Sequence, residues 1–453
     1  MKEQDSEGNG FMRYGEKRMI WIPAVIGILL LSIACGCICY SLWEKRQGTV
    51  LRFGMIAGSY WDVPTGNCYE VVDTAIRRFE EKHPGVRVEY VSGILKEDYS
   101  EWLAEQILLG EEPDVFMIPA GELDILASLG VLKNLESLIE KDKEFESGNY
   151  YPGAYRYGNI RDIQYALPYE SVPTLMFVNK TLLDREGIDM PGKDWTWEEF
   201  LAVSRQITRD ADGDGLVDQF GCFDCGWKEA VNSNGIELFE KNGITSHFAD
   251  SRVEAAIRFV RDLNEINEGY AVSAREFDQG KVAFRPFAFS EYRTYKPYPW
   301  RIKKYSDFEW DCIKLPAGPE GTGRSGLDTL LMGIGSRTGQ EALAWEFIKE
   351  LCYEEETQLH LLEASQGMPA LRGAVESPLL QQVLGNDIPG NNNMNVEVIR
   401  QVMEEAVEAP NFRRYPAAMN LADGEISRMV NGGRSIDSGL LKLQREINGL
   451  LRQ

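Results

Sequence analysis

Apolar residues along this chain follow two alternating rhythms, and their succession predicts its architecture. From Tyr69 to Lys82, Val72, Ala75, Ile76 and Phe79 recur at helical spacing on one face. His83-Pro84-Gly85 ends that pattern, because proline removes a backbone donor and fixes φ. Val86, Val88 and Tyr90 then alternate with Arg87 and Glu89, the period of a half-buried strand. With a strand expected from Val50 to Ala57, these segments make a β-α-β unit. A further helix is expected from about Asp98 to Leu109, stopped by Gly110. Beyond a turn at Glu111-Glu112-Pro113, the run Val115-Phe116-Met117-Ile118 is wholly apolar, as in a strand covered on both faces. Another helix follows from about Glu122. Helix, strand, helix in that order belongs to an open parallel α/β sheet, whose ligands bind just beyond the carboxyl ends of the strands.

The pattern continues through the rest of the chain. Gln164–Tyr169 and Thr174–Asn179 read as two short strands separated by a turn containing Pro173. Thr196 with Glu199 three residues later makes a capping box at the start of a helix. Val253, Ala256, Ile257, Val260 and Leu263 stripe another helix. Clusters of Gly, Pro and acidic residues at 210–215, 316–323 and 385–393 read as loops. No repeat at solenoid spacing appears. A length of 453 residues leaves room for two domains and a tail.

The tail is distinctive. Met19 to Trp43 is 25 residues without a charge, long enough to span a bilayer and longer than an ordinary secretory apolar region. Arg13, Lys17 and Arg18 before it favour a cytoplasmic N-terminus, which Lys45 and Arg46 behind it partly offset. Two readings stay open: an uncleaved transmembrane anchor, or a lipoprotein signal. In the second, Leu31-Ser32-Ile33-Ala34-Cys35 resembles a lipobox and Cys35 would carry the lipid. Either one tethers a large domain at the outer face of the cell membrane.

Composition narrows the function further. A net charge of −23, from 71 acidic and 48 basic residues, argues against nucleic-acid binding, since phosphates would be repelled. Three scattered histidines, His83, His247 and His360, cannot build a multi-histidine metal centre. Cys222-Phe223-Asp224-Cys225 is a C-x-x-C pair without a second pair or a thioredoxin-like context, so buried thiols or a local disulfide are expected. There is no G-x-S-x-G, H-E-x-x-H or phosphate-binding G-x-x-x-x-G-K-[ST] motif, and Gly333-Ile334-Gly335 lacks the last glycine of a dinucleotide fingerprint. No catalytic residue is expected.

The segment from Gly110 to Pro119, with Leu129-Gly130-Val131-Leu132-Lys133-Asn134-Leu135 after it, resembles the extracellular solute-binding proteins of bacterial ABC transporters. The resemblance is to their maltose-binding-protein-like carbohydrate group. It extends through Tyr165–Tyr169, Leu175–Lys180, Trp195–Phe200, Gly280–Phe284, Ala344–Lys349 and Gly367–Ala370, covering nearly everything from Val50 onward. It implies a type II periplasmic-binding-protein-like α/β fold with two discontinuous lobes and a ligand cleft between them. The expected division is a short cytoplasmic segment, 1–18, and an anchor or signal, 19–43. Residues 50–165 with 312–360 would form the first lobe, and 166–311 with 361–453 the second. Crossings are expected near 165–172, 306–312 and 360–368. The implied function is capture of a carbohydrate, an oligosaccharide, by lobe closure in a monomeric protein, and its delivery to an ABC permease. Two alternatives are a ligand-sensing ectodomain serving a partner signalling protein, and a surface carbohydrate-active enzyme.

Sugars present apolar C–H faces to aromatic rings and hydroxyls to carboxylates, amides and arginine. The family draws its contacts from strand-end loops of both lobes. The matching positions are Tyr60, Trp61, Glu122, Tyr169, Glu170, Trp227, Tyr292, Asp328, Arg414 and Tyr415. Separately, Asp210, Asp212, Asp214 and Asp218 stand at positions 1, 3, 5 and 9 of an EF-hand-like loop with Gly215 at position 6, a candidate structural calcium site. Gly221 occupies position 12, where the bidentate Glu of that loop would be. No other cofactor is expected. The stretch from Arg293 to Lys304 holds Arg293, Lys296, Arg301, Lys303 and Lys304 with no acid, and reads as a surface loop.

Overall fold

The apolar runs become strands in a computed structural model that describes residues 48–63, 67–240, 243–267, 269–294, 308–387 and 395–452. Strands β1 (Thr49–Gly54), β2 (Val86–Tyr90) and β3 (Val115–Ile118) come first. The small hairpin β4 (Asn159–Ile160) and β5 (Ile163–Gln164) precedes the long β6 (Ala166–Asn179). Then come β7 (Phe220–Cys222), β8 (Val282–Ala288), β9 (Trp310–Ile313), β10 (Gly326–Ile334), β11 (Met368–Pro369) and β12 (Val407–Glu408). From β1 onward the main sheet is ordered β1-β3-β10-β6-β8-β7, with β9 and β11 attached to β6 and β12 to β10. Of the described residues, 48–50 with 80–88 form a small unit and the rest a large one. Within the small unit the Thr49 amide donates to the Gly85 carbonyl at 2.8 Å, and the Val88 amide to the Glu80 carboxylate at 2.8 Å.

Strand β6 organises the large unit. Its residues Ala166–Pro173 pair antiparallel with β10, whereas Thr174–Val178 pair with β8 and Met176–Asn179 with β9. The expectation of two strands broken at Pro173 is therefore corrected: one 14-residue strand runs through the proline. Pro173 is tolerated because it stands where the strand changes partners, opposite Leu327 of β10 and just before Thr174 meets Ala288 of β8. A missing N–H at that junction removes no continuous ladder.

Two lobes follow from this changeover. In the first, β1, β3, β10 and the front of β6 are covered by helices that include Lys96–Leu109, Glu341–Cys352 and Glu355–Ala364. β3 is buried along its whole length, as an apolar run covered on both faces should be. Phe347 packs against Phe53 and Phe79 at ring distances of 5.4 and 5.0 Å. In the second lobe, β7, β8, β9 and the end of β6 share a core with helices Trp197–Ile207, Trp227–Ser233 and Ser251–Ile266. The last helices, Tyr415–Val430 and Ile436–Leu451, join the same core. The chain passes between lobes within β6, again between β9 and β10, and again after β12. The crossings expected near 306–312 and 360–368 are corrected to positions after Ile313 and after Glu408, because β9 pairs with the second-lobe end of β6 whereas β11 and β12 pair with first-lobe strands. The apolar segment Met19–Trp43, Cys35 and the stretch from Tyr295 to Lys304 lie outside the described residues. Among those described, no helix is long and apolar enough to cross a membrane.

The capping box forms as read. The Thr196 hydroxyl accepts from the Glu199 amide at 3.3 Å, and the Glu199 carboxylate accepts from the Thr196 amide at 2.7 Å. Thr196→Ala is expected to destabilise the protein by about 1 kcal/mol, read as a lower urea midpoint. An unchanged midpoint would show that this helix end is held by its neighbours and not by its cap.

Candidate functional site

Residues of both lobes line a cleft of about 1560 Å³. Tyr157, the last residue of helix Pro152–Tyr157, and Asp328, near the start of β10, contribute from the first lobe. Lys228 and Glu229, in the first turn of helix Trp227–Ser233, and Tyr415, opening helix Tyr415–Val430, contribute from the second. Trp195, Phe239 and Phe412 add ring surface, and ion pairs Arg156–Glu408 and Lys314–Glu405 stiffen the wall at 2.7 and 2.5 Å. Apolar rings beside a few convergent polar groups are the make-up of a small-molecule cleft.

Asp328 is open to solvent yet deep in the cleft, and this recess pushes its carboxyl above the usual aspartate range, with Lys228 and Lys96 pulling it back. Its charge in turn acts on Tyr60, Tyr157 and Tyr415, whose hydroxyls are raised chiefly by burial, that of Tyr415 to about 12. Glu229 is also held above its usual range by burial. Trp227 is turned inward. Its indole N–H donates to Asp423 at 2.8 Å, and the same carboxylate holds Lys228 at 3.0 Å, so Asp423 orients the pair. Arg414 donates to the Leu450 carbonyl and ties the cleft wall to the end of the last helix.

Four other expected site residues gather in a separate, smaller cavity of about 50 Å³, lined by Tyr60, Trp61, Tyr169 and Glu170. Glu170 is 4% exposed and accepts from the Gly367 amide at 2.6 Å and from the Ser365 hydroxyl. Burial lifts its carboxyl above the usual glutamate range, against the hydrogen bonds from Ser365 and Gly367 and the charge of Arg293. A Cβ on Gly367 would come within 2.4 Å of the Glu170 side chain, so only glycine allows this approach. Arg293, read from sequence as part of a surface loop, is 2% exposed, which corrects that expectation for this residue. Its guanidinium donates to the carbonyls of Leu362, Glu363 and Ser365 at 3.0, 3.3 and 3.2 Å, capping helix Glu355–Ala364. A second-lobe helix is thereby tied to a first-lobe one beside the residues where β6 changes sheet partners.

Glu122 is half-buried behind Tyr60, whose hydroxyl accepts from the Ala120 amide at 2.7 Å; burial raises Glu122, and its charge acts on Tyr60 and Tyr99. Tyr292 lines neither cavity; it packs with Phe177, Phe289 and Trp310 in the second-lobe interior. In the acidic loop, carboxylate oxygens of Asp210, Asp212 and Asp214 lie within 4.8 Å of one another. Asp218 instead accepts from the Ala211 amide at 2.9 Å and faces Lys281 at 3.4 Å. Asp210 is held below its usual range, first by the Gly215 amide. All five cysteines of the described residues carry free thiols.

Tyr157, Glu229 and Phe239 were not singled out from sequence. Tyr157 carried a faint signal, the aromatic-rich Tyr150–Tyr157 segment ahead of the hairpin; the other two sit in helix and loop positions that read equally well as core or surface.

A model of the family described as bacterial extracellular solute-binding protein matches residues 67–356. An uncharacterized lipoprotein from the oleD 5' region of Streptomyces antibioticus is 24% identical over 329 residues, 66% of this chain. The chain spans 65% of that relative's length, less than two thirds. Among solved structures, the sugar-binding protein MalE of Xanthomonas citri is similar with a TM-score of 0.73 at 19% identity, over 89% of this chain and 98% of that one. A cyclic alpha-maltosyl-1,6-maltose binding protein of Arthrobacter globiformis has a TM-score of 0.73 at 17% identity, over 89% and 99%. Such likenesses establish the fold, the two-lobed α/β architecture of periplasmic-binding-protein-like proteins. Because the family model covers well over half of the sequence, this chain belongs to the bacterial extracellular solute-binding proteins.

Proposed function

We propose that the protein is tethered at the outer face of the cell membrane, captures a carbohydrate, an oligosaccharide, and delivers it to an ABC permease. The observation that carries this reading is the cleft of about 1560 Å³ lined by aromatic rings and polar groups from both lobes. A ligand bridging the lobes binds the closed form more tightly than the open form, and that difference alone shifts the population toward closure. The permease would read the closed shape. Two structural neighbours described as sugar- and maltosyl-maltose-binding proteins support a carbohydrate cargo. The Streptomyces lipoprotein relative, together with the uncharged segment from Met19 to Trp43, supports the tether. No step on the ligand is required, and the two structural neighbours are described as binding proteins.

The test is a thermal-shift screen of the full chain in mild detergent against mono- and oligosaccharides. A ligand present at about a hundred times its dissociation constant adds about 2.7 kcal/mol, which appears as a raised Tm. A selective rise with one sugar class is the expected result. A flat response from folded, ligand-free protein would remove carbohydrate as the cargo. Running the screen with and without added calcium reports on the loop of Asp210, Asp212 and Asp214 separately.

A further inference from the structure

Leu108, Leu109 and Leu129 are 87%, 62% and 70% exposed, more than any other large apolar side chain of the described residues. Exposed leucines scattered singly need no explanation, but these three share one edge of the first lobe. Leu108 and Leu109 end helix Lys96–Leu109, and Leu129 follows helix Leu123–Ser128. Two consecutive residues hold both helix ends. The Ser336 hydroxyl donates to the Gly130 carbonyl, and Arg337 donates to the Ile107 carbonyl at 2.9 Å. The same edge is where β1 enters the sheet. Asp114, just ahead of β3, exchanges hydrogen bonds with the Arg52 backbone at 2.8 and 2.9 Å, and its carbonyl accepts from the Gly335 amide at 2.9 Å.

That entry point matters because the uncharged run from Met19 ends at Trp43. Whether the run spans the bilayer or follows a lipid on Cys35, Trp43 belongs at the lipid–water interface, where indole rings collect. Leu51 is eight residues further on, a reach of at most about 29 Å for a fully extended chain. We propose that the first lobe rests on the outer surface of the bilayer through Leu108, Leu109 and Leu129, which enter the lipid interface. So short a tether keeps the entrance of β1 near the membrane, while the strand leads away from it toward Ala57 and the cavity of Tyr60. Holding the lobe there raises the effective concentration of lipid, so a contact too weak to bind alone is populated. Leucine side chains gain by leaving water. Glu105 and Glu111 are exposed beside them, so the attraction is apolar and owes nothing to anionic headgroups. This inference rests on the tethered reading above and adds to it the face turned to the membrane.

The test is photocrosslinking of the full chain, reconstituted in phosphatidylcholine liposomes that carry a diazirine on one acyl chain, followed by peptide mapping. Lipid adducts are expected in 19–43 and on segments 105–112 and 128–131, at low and high salt alike. Leu95, Leu216 and Leu441, exposed apolar residues on other surfaces, should carry about tenfold fewer. Changing Leu108, Leu109 and Leu129 together to Asp should cut the adducts on both edge segments about tenfold and leave those in 19–43 unchanged. The three side chains are exposed, so the melting temperature should hold; a triple Ser variant keeps the comparison if the Asp variant misfolds. Adducts in 19–43 with none on the edge would overturn the docking proposal and leave the tether standing. Adducts spread equally over Leu95 and Leu441, or edge adducts lost in high salt, would likewise overturn it. Self-association abolished by the same substitutions, in place of lipid adducts, would assign the edge to a second copy and also overturn it. No adducts anywhere in the chain would overturn both the docking and the tether.

Discussion

Phe284→Ala is expected to destabilise the protein by about 4 kcal/mol, the middle of the range for a large aromatic side chain deleted from a core. Phe284 is fully buried on β8, paired with Val178 of β6 on one side and Cys222 of β7 on the other. Its ring meets Phe200 edge-on at 5.2 Å and Trp195 at 5.3 Å, so three elements lose a shared contact at once. Strands hold the Cβ in place from both edges, which limits how far the surroundings can collapse into the void. Urea unfolding followed by tryptophan fluorescence measures the effect. A loss below about 1 kcal/mol would mean that the second-lobe core refills the space, contrary to tight interior packing.

Removing the Glu170 carboxylate should be nearly as damaging, and it carries a pH signature. Glu170→Ala leaves the Gly367 amide and the Ser365 hydroxyl without their acceptor in a buried position, at a cost of about 3 kcal/mol. Glu170→Gln keeps an accepting oxygen and should cost about 1 kcal/mol. The carboxyl of Glu170 is raised by burial above its ordinary value of 4.5. The folded protein therefore holds this proton more tightly than the unfolded chain. Its contribution to stability is complete below the ordinary value and is lost as pH rises through the folded one. Glu170→Gln removes that term, so its urea midpoint should fall less than that of the unaltered protein between weakly acidic and neutral pH. Identical pH slopes for the two proteins would assign the dependence to other raised acids, such as Glu122, Glu229 or Asp328.

Glu170 also explains a constraint between the lobes. Its two acceptor contacts fix the 365–367 turn, and Arg293 fixes the same turn from the second lobe. These contacts lie where β6 changes from one sheet partner to another. Trp61, 4.9 Å from the Tyr60 ring, lines the smaller cavity with Glu170 and Ser365.

By itself the sequence determined the elements whose signals are local. The helix Glu70–Lys82 carries its apolar face in the spacing of Val72, Ala75, Ile76 and Phe79. The strand Val115–Ile118 is announced by four apolar residues between turns, and the helix at Trp197 by its capping box. These depend on hydrogen bonds and burial within a few residues, so periodicity reports them. The family resemblance, spread over many short matches, likewise needs no knowledge of side-chain direction. Only the tertiary structure decided that Pro173 lies inside a strand, because the change of partner that tolerates it is set by β8 and β10, distant in sequence. It also sorted the expected site residues. Asp328, Arg414 and Tyr415 line the main cleft, Tyr60, Trp61, Tyr169 and Glu170 a smaller cavity, and Tyr292 an aromatic interior. An aromatic or acidic residue at a strand end reads the same in all three places, since which way it faces depends on register and on the lobe packed opposite.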